Sequence, residues 1–397
     1  MSTTGLTKDI TKHHHSAEFK PASGTVPSSF YRPELDVLRF FAFFAVFVQH
    51  AVPHTADAYK THGASAGLAA WILSIPVGGA YGVDLFFVLS AYLITELLQR
   101  EFASEGRLDV RAFYVRRILR IWPLYFSFLI VSVVVSLFRV FDDHFGVAYL
   151  LAYIFLAGNW ICVLRGYPNS VGAPLWSVSL EEQFYLVWPA LMRLMRGKRL
   201  VPAALCMIVL AVSTRIVLLF VGAQHPRVWC NTFARLDTIA WGILLAAWLR
   251  GRKPSLSGWM RIVLGLVAVS TWLVVARYAP LDGALPVCLL VGYPAVAAAS
   301  ALMVFLSLTC DLSRFPRPLS RLAVYLGRIS YGLYVFHLLG IKTAVFAHVA
   351  RGGGFWMFLL TSLALTIALS AMSYRYLEQP FLRLKLRYTH VLSRPGG

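Results

Sequence analysis

Long apolar stretches recur along almost the whole chain, and they constrain its fold more than any other feature. From Leu35 onward, ten stretches come close to the roughly 20 residues that a helix needs to cross a bilayer. Only 14% of the residues are charged, whereas soluble chains average about 25%. The pattern argues against a disordered protein or a soluble enzyme and predicts an all-α, polytopic transmembrane helical bundle. The predicted spans are residues 35–54, 80–99, 121–138, 176–195, 200–222, 233–250, 259–278, 284–309, 329–349 and 355–376.

The basic residues orient these spans. The chain carries 37 Lys and Arg against 18 Asp and Glu, a formal charge of +19. In a soluble chain this excess would suggest nucleic acid, but most of these residues lie in tails and loops that ten spans place on one side of the bilayer. The positive-inside rule then predicts two cytoplasmic termini and no nucleic-acid partner. A further apolar segment, 147–164, is expected to be a re-entrant or surface helix, because an eleventh crossing would move the later basic loops outside.

Polar ends flank one predicted membrane domain. Residues 1–30 are polar and are predicted to be a disordered cytoplasmic tail. Residues 31–385 are predicted to form the membrane domain, and residues 386–397 a second cytoplasmic tail. The five cysteines include no C-x-x-C pair, so neither a zinc site nor a disulfide framework is expected. The histidine triplet at 13–15 is not expected to bind metal either.

Ionisable residues inside the predicted spans are candidate functional residues, because a charge in a bilayer is costly. Arg39 and His50 lie eleven residues apart in the first span, which puts them on one helix face about 16 Å apart along the axis. Glu181 lies near the outer end of the fourth span, at a predicted depth close to that of His50. A carboxylate beside a histidine is typical of a general base. The helix dipole also favours glutamate at a helix N-terminus, so spacing alone leaves both interpretations of Glu181 open.

Further polar residues lie within or beside other spans. Ser330, Tyr334 and His337 follow i, i+4 and i+7 spacing on the ninth span, which indicates a lined cavity rather than an isolated core histidine. The arginines near the third span also fit simple anchoring by the positive-inside rule. Spacing alone therefore predicts a membrane protein with a polar cavity. The other candidates are Asp84, Ser90, Arg117, Arg120, Trp176 and Arg235.

Five motifs, in order, resemble those of the acyltransferase-3 family of integral membrane O-acyltransferases, across about residues 31–385. Arg39 and His50 match that family's signature of arginine, ten residues and histidine. Residues 82–94 resemble its G-V-D-x-F-F-x-x-S-G-Y-x-I segment, with Ala91 in place of the usual glycine. The other matches are 116–125 (R-R-x-x-R-I-x-P-x-Y), 176–189 (W-S-L-x-x-E-x-Q-F-Y-x-x-x-P, with Val178 for leucine) and 329–337 (I-S-Y-x-x-Y-x-x-H).

The resemblance implies an O-acyltransferase of a bacterial inner (plasma) membrane. Such an enzyme moves an acyl group, usually acetyl from acetyl-CoA, to a hydroxyl of a cell-surface polysaccharide, a glycolipid or a small molecule. The acceptor, the acyl chain length and the oligomeric state stay open. Some members of the family add a C-terminal extracytoplasmic hydrolase-like domain. We expect none here, because the chain ends soon after the last predicted span.

The resemblance and the predicted geometry together suggest residue roles. His50 is expected to act as general base or as transient acyl carrier, with Glu181 setting its tautomer. Acyl-CoA is expected to bind from the cytoplasm, with arginines on its phosphates and the pantetheine arm along the Arg39–His50 face. No metal is expected. The expected donor-binding residues are Arg39, Arg117, Arg120, Ser330, Tyr334 and His337, and the expected acceptor-binding residues are Asp84, Ser90, Trp176 and Arg235.

A transporter or flippase is the main alternative. Ten spans with intramembrane Arg, His and Glu also describe a carrier of a lipid-linked or small-molecule substrate. Transporters commonly contain repeated halves, and we find no convincing internal repeat. A structural or sensor protein fits the polar stripes poorly. Turnover of acetyl-CoA by the purified protein would favour the enzyme, whereas passage of an unmodified substrate into liposomes would favour the transporter.

Overall fold

The computed structural model describes residues 31–60, 63, 65–351, 354–385 and 388. Among these residues the protein is an all-α bundle without strands, as predicted. The predicted tails 1–30 and 386–397 lie outside the described residues, apart from Tyr388. The first eight helices are α1 (Pro33–Ala51), α2 (Ala56–Lys60), α3 (Ala66–Gly79), α4 (Gly82–Glu105), α5 (Val110–Leu137), α6 (Val147–Ile154), α7 (Gly158–Arg165) and α8 (Leu175–Leu194).

The second half of the chain continues the bundle. Short 3₁₀ turns occur at Val140–Asp142, Phe233–Arg235 and Leu312–Arg314, and π turns occur at Cys288–Gly292 and Tyr374–Glu378. The remaining helices are α9 (Leu200–Phe220), α10 (Leu236–Leu249), α11 (Gly258–Tyr278), α12 (Tyr293–Thr309), α13 (Arg317–Arg328), α14 (Ser330–Arg351), α15 (Phe355–Ser373) and α16 (Gln379–Lys385).

The protein is a multi-pass membrane protein, and each of the ten predicted spans has a helical counterpart. Six of the described helical segments are long and apolar enough to cross a bilayer, and α13 with α14, bent by 75°, makes a seventh if the pair is one span. Helices α1 and α8 are less apolar because each carries three charged residues. Helix α10 has only 14 residues. The count of ten spans and the cytoplasmic termini remain predictions.

The sequence pattern missed helix α3. With α4 it forms one apolar segment of 40 residues, Ala66–Glu105, much longer than the predicted span 80–99. Two glycines at the junction let this segment lie directly against α1. A Cβ at Gly79 would collide with the Ala45 carbonyl, and a Cβ at Gly82 would collide with the Ala42 carbonyl. This close approach holds the start of α4 in a fixed position beside α1.

The segment 147–164 does not form a continuous span. It breaks into α6 and α7, each of eight residues and so about 12 Å long, less than half of the bilayer core. Leu156 lies at the break with a φ of 55°. Helix α7 packs against α8, and the Asn159 amide donates to the Cys230 carbonyl at 3.1 Å. These results agree with a segment that enters the bundle without crossing it as one helix.

Helix α4 lies at the centre of the bundle. It packs against α1, α8, α10 and α12, and most of its apolar residues belong to the main hydrophobic core. Helices α1, α5, α8 and α14 also carry residues of the matched motifs. The space between these helices holds the candidate site.

Candidate active site

Among the described residues, two of the cavities beside α1 lie at opposite ends of the helix and contain residues of the matched motifs. The first cavity includes Arg32, Asp36 and Arg39 near the N-terminal end of α1. The second includes His50 and His54 near its C-terminal end. We name them the basic cavity, after Arg32, Arg39, Arg117, Arg120 and Lys385, and the aromatic cavity, after Tyr81, Tyr167, Trp176, Trp229 and Tyr334.

The basic cavity gathers cations from three helices. Arg39 of α1 makes an ion pair with Asp36, with 2.9 Å between Nη1 and Oδ1. The Arg117 guanidinium of α5 lies between two rings, 5.3 Å from the centre of Phe113 and 5.5 Å from that of Tyr185. With five basic residues against two carboxylates, this cavity suits a polyanionic ligand. Ser90, Ser330 and Tyr331 also line it.

The arginine motif on α5 divides into two functions. Arg117 and Arg120, two of the predicted donor-binding residues, line the basic cavity, and their binding of a donor stays a prediction. Arg116 turns away and makes an ion pair with Glu101 at 2.7 Å, and it also donates to the Tyr388 carbonyl. Arg116 therefore fastens α5 to α4, while its neighbours face the cavity.

Glu181 lies in the basic cavity, not beside His50 as expected. Its carboxylate is next to Ser90 and Tyr185, whose hydroxyls also contact each other. Helix α8 begins at Leu175 beside the aromatic cavity. Glu181 lies six residues, or about 9 Å, further along the helix, and this distance places it in the basic cavity. The adjacent Glu182 accepts a hydrogen bond from Trp122 Nε1 at 2.9 Å. A catalytic role for Glu181 stays a prediction.

His337 takes the place beside His50 that was expected for Glu181. Its Nε2 lies 3.3 Å from Nδ1 of His50, and the two ring centres are 4.9 Å apart. His337 is fully buried, whereas His50 is accessible from the aromatic cavity. Donor binding by direct contact, expected for His337, does not fit this burial. The geometry makes His337 a partner of His50.

The atoms around the two histidines allow their protons to be assigned. The His337 Nδ1 lies 2.5 Å from the Tyr334 carbonyl, and the His50 Nδ1 lies 3.0 Å from the Val46 carbonyl. A carbonyl oxygen can only accept, so both Nδ1 atoms carry hydrogen in the neutral rings. The Nε2 lone pair of His337 then faces the same Nδ1–H of His50, which it shares with the Val46 carbonyl. As a result, the Nε2 of His50 keeps a free lone pair, which is what a general base needs.

Loops complete the aromatic cavity, and the sequence analysis missed most of their residues. Of its rings, only Trp176 and Tyr334 were predicted as site residues. His54, His225 and Asp282 also line it. Burial lowers the pKa of His54 and of His225, and the negative charge of Asp282 partly offsets both shifts. These residues come from three separate loops, so no helical periodicity could have revealed them.

Asp84 and Arg235 form a fully buried ion pair instead of lining a cavity. Their closest atoms, Asp84 Oδ1 and Arg235 Nη2, are 2.7 Å apart, and both side chains are 0% exposed. The Arg235 guanidinium carbon lies 4.3 Å from the ring centre of Trp229. Neither residue is among the lining residues of the two cavities. Direct contact with an acceptor, predicted for both residues, does not fit this burial.

A second buried ion pair was not predicted. Arg215 Nη2 lies 2.7 Å from Asp237 Oδ2, and Arg215 Nη1 donates to the Ala234 carbonyl at 2.7 Å. Arg215 is the single charged residue of the 21-residue helix α9. A lone arginine in an otherwise apolar helix is a recognisable signal of a buried partner, and it was available in the sequence.

Comparison with known families agrees with the motif resemblance. The acyltransferase-3 model, described as an acyltransferase domain, matches residues 32–375. The chain belongs to the acyltransferase-3 family. This match begins just before α1 and ends within the π turn after α15, so it includes the whole lining of the aromatic cavity and all of the basic cavity except Tyr31 and Lys385. No solved structure matches the chain.

Three similar proteins have O-acetyltransferase names. A putative peptidoglycan O-acetyltransferase YrhL of Bacillus subtilis is 29% identical over 88% of this chain. A peptidoglycan O-acetyltransferase OatA of Listeria monocytogenes is 28% identical over 76%, and an O-acetyltransferase OatA of Staphylococcus aureus is 26% identical over 92%. The aligned part covers 55%, 51% and 60% of those proteins, respectively. The chain thus spans little more than half the length of these relatives.

Proposed function

We propose that the protein is a membrane O-acyltransferase that moves an acyl group, in the first instance acetyl, from acyl-CoA to a hydroxyl of a glycan. One observation carries the proposal: a cavity suited to a polyanion meets an aromatic cavity, and His50 lies just beyond their junction. The O-acetyltransferase names of the three relatives support the same reaction class. Their bacterial origin supports a bacterial plasma membrane as the location.

Acyl-CoA binds in the basic cavity in this proposal. Its phosphates pair with arginines, which offer planar, bidentate donors. Arg117 is held in place between two rings, so less side-chain entropy is lost on binding. From Arg39 the pantetheine arm follows α1 toward His50, over the roughly 16 Å that eleven helical residues span. The thioester then lies at the junction of the two cavities.

The glycan acceptor enters the aromatic cavity. Trp176 and Trp229 lie with ring centres 6.3 Å apart, and Tyr167 lies beside Trp176 at the same separation. Such rings offer apolar, electron-rich faces to the C–H groups of a sugar ring. The lining contains no lysine or arginine. The basic cavity therefore suits the phosphates of the donor, and the aromatic cavity suits the uncharged sugar rings of the acceptor.

The reaction follows from the free lone pair of His50. Nε2 of His50 accepts the proton of the acceptor hydroxyl while the oxygen attacks the thioester carbonyl carbon. A C–O bond forms, the C–S bond breaks, and the imidazolium returns its proton to the thiolate of CoA. The products are the O-acyl ester and free CoA. His337 stabilises the imidazolium and keeps Nδ1 protonated throughout, which is the supporting function that was expected of Glu181.

Turnover by the purified protein tests the proposal. Detergent-solubilised wild type is expected to transfer radiolabelled acetyl from acetyl-CoA to peptidoglycan oligosaccharides and to release free CoA. His50→Ala should bind acetyl-CoA normally and lose transfer, whereas Arg39→Ala should weaken binding of acetyl-CoA. Normal turnover by His50→Ala would refute the mechanism.

Two further outcomes separate the alternatives. Acyl label on His50 after incubation with acetyl-CoA alone would establish a transient acyl-histidine in place of direct attack. Passage of an unmodified glycan into liposomes without consumption of acetyl-CoA would instead identify a transporter and refute the transferase.

A further inference from the structure

Val83 and Tyr334 stand between the two cavities. Among the described residues, they are the two that line both the basic cavity and the aromatic cavity. Both are almost completely buried, at 6% and 7% exposure. The two cavities therefore adjoin at these side chains, and a direct path from one cavity to the other runs past them.

The ring of Tyr334 is held in position from several sides. Its hydroxyl lies 2.7 Å from Ser177 Oγ, where either oxygen can donate, and 3.3 Å from the Pro174 carbonyl, to which it donates. The ring meets Phe86 edge-on with 5.7 Å between centres. These contacts tie α14 to the start of α8 and to α4. A ring fixed in this way cannot rotate away without breaking a buried hydrogen bond. It therefore limits the width of the space between the two cavities.

Val83 forms the opposite side and is equally constrained. It is the second residue of α4, directly after Gly82. Gly82 lies so close to α1 that a Cβ there would meet the Ala42 carbonyl. The backbone that carries Val83 is therefore packed against α1 and cannot retreat. A β-branched side chain also has few rotamers available.

We infer that Tyr334 and Val83 form a size-selective partition that restricts the enzyme to short acyl groups. This inference rests on the proposed function. Donor phosphates bind on the basic side, while His50 is reached from the aromatic side. The acyl end of the thioester must enter the space between the phenol ring and the isopropyl group before it reacts. Each methylene added to the acyl chain then raises the free energy of passing the partition by more than it lowers the free energy of binding.

Relative rates with different donors test the partition. We would measure kcat/KM for acetyl-, propionyl- and butyryl-CoA, by release of free CoA, in wild type, Val83→Ala and Tyr334→Ala. The butyryl-to-acetyl ratio should rise by about tenfold or more in each variant, since a methylene in a tight pocket changes selectivity by about that factor. Val83→Leu should lower the ratio further below that of wild type. Both rates in each ratio are measured on the same preparation. A partly unfolded fraction lowers both rates equally and leaves the ratio unchanged.

Two controls make the test specific. Val88→Ala removes the same two methyl groups from the same helix, but Val88 is fully buried in the core and is not among the lining residues of either cavity. Its ratio should equal that of wild type. Tyr334→Phe keeps the ring and loses the bond to Ser177, so its ratio should lie between those of wild type and Tyr334→Ala.

The outcomes distinguish this inference from the proposed function. If wild type transfers acetyl but the ratio is the same in wild type, Val83→Ala and Tyr334→Ala, the partition is refuted and the transferase stands. Equal rates with acetyl- and butyryl-CoA in wild type would also refute the partition. If wild type uses none of the three donors, the proposed function fails, and the partition fails with it.

Discussion

His50 and His337 are separated by 287 positions in the chain and touch only in the folded protein. Helical spacing placed each histidine on a polar face of its own helix, and that part of the sequence analysis was sound. It gave no information on which faces would meet. The partner of His50 was therefore assigned to Glu181 on a predicted depth, whereas the structure places Glu181 in the basic cavity and His337 beside His50.

Replacing His337 tests its effect on His50. His337→Phe keeps a ring of similar shape and removes one of the two acceptors of Nδ1–H of His50, leaving the Val46 carbonyl, so the imidazolium that forms on His50 loses the support of His337. We expect kcat to fall by about 10²-fold or more, with an unchanged KM for acetyl-CoA. His337→Gln, whose amide oxygen can accept that hydrogen, should recover part of the loss. Full activity in His337→Phe would show that His337 only fills space.

The histidines at the mouth of the aromatic cavity predict a pH effect on stability. Burial lowers the pKa of His54 and of His225 below its ordinary value of 6.5. Below that pH the unfolded chain binds more protons than the folded protein, so stability falls on acidification. Thermal unfolding in detergent should show a drop between pH 7.5 and pH 5.5 that is smaller in the double variant His54→Gln, His225→Gln. An equal drop in both proteins would contradict this explanation.

At the scale of helices, buried ion pairs join elements that the sequence could not pair. The Asp84–Arg235 contact links α4 to the turn before α10, and Arg215–Asp237 links α9 to α10. Sequence patterning predicted the ten helices because apolar runs are local. It missed α3 because α3 and α4 form one continuous apolar segment. It treated Asp84 and Arg235 as ligand-binding residues because the sequence does not show that their charges neutralise each other.

Breaking the Asp84–Arg235 pair should be strongly destabilising. Asp84→Asn leaves the Arg235 charge buried without its carboxylate, which typically costs about 3–5 kcal/mol. Denaturant or thermal unfolding in detergent would measure the loss. Asp57→Asn provides the control, because its pair with Lys60 is largely exposed and contributes at most about 1 kcal/mol. Equal stabilities of the two variants would show that the buried pair has no such role.

At the scale of the whole molecule, the basic residues divide into those in tails and loops and those that line the basic cavity. Most of the 37 Lys and Arg lie in tails and loops that the positive-inside rule predicts to be cytoplasmic. A few arginines inside the bundle, with Arg39 foremost, form the basic cavity instead. The sequence singled out Arg39, Arg117 and Arg120 as candidates for this cavity, but it assigned Arg32 and Lys385 only to the tails and loops. The aromatic cavity, assembled from loops around residues 54, 167, 225 and 282, required the fold.

The basic and aromatic cavities lie at opposite ends of α1, and we propose that the donor binds from one side of the membrane and the acceptor receives the acyl group on the other. Proteoliposomes with a single orientation, established by labelling Lys198→Cys from the predicted cytoplasmic face, would test it most directly. Radiolabelled acetyl-CoA is supplied only on that face and peptidoglycan oligosaccharide only on the opposite face. The proposed function predicts label on the oligosaccharide with wild type and none with His50→Ala. Labelling only when donor and acceptor share one side would contradict the claim.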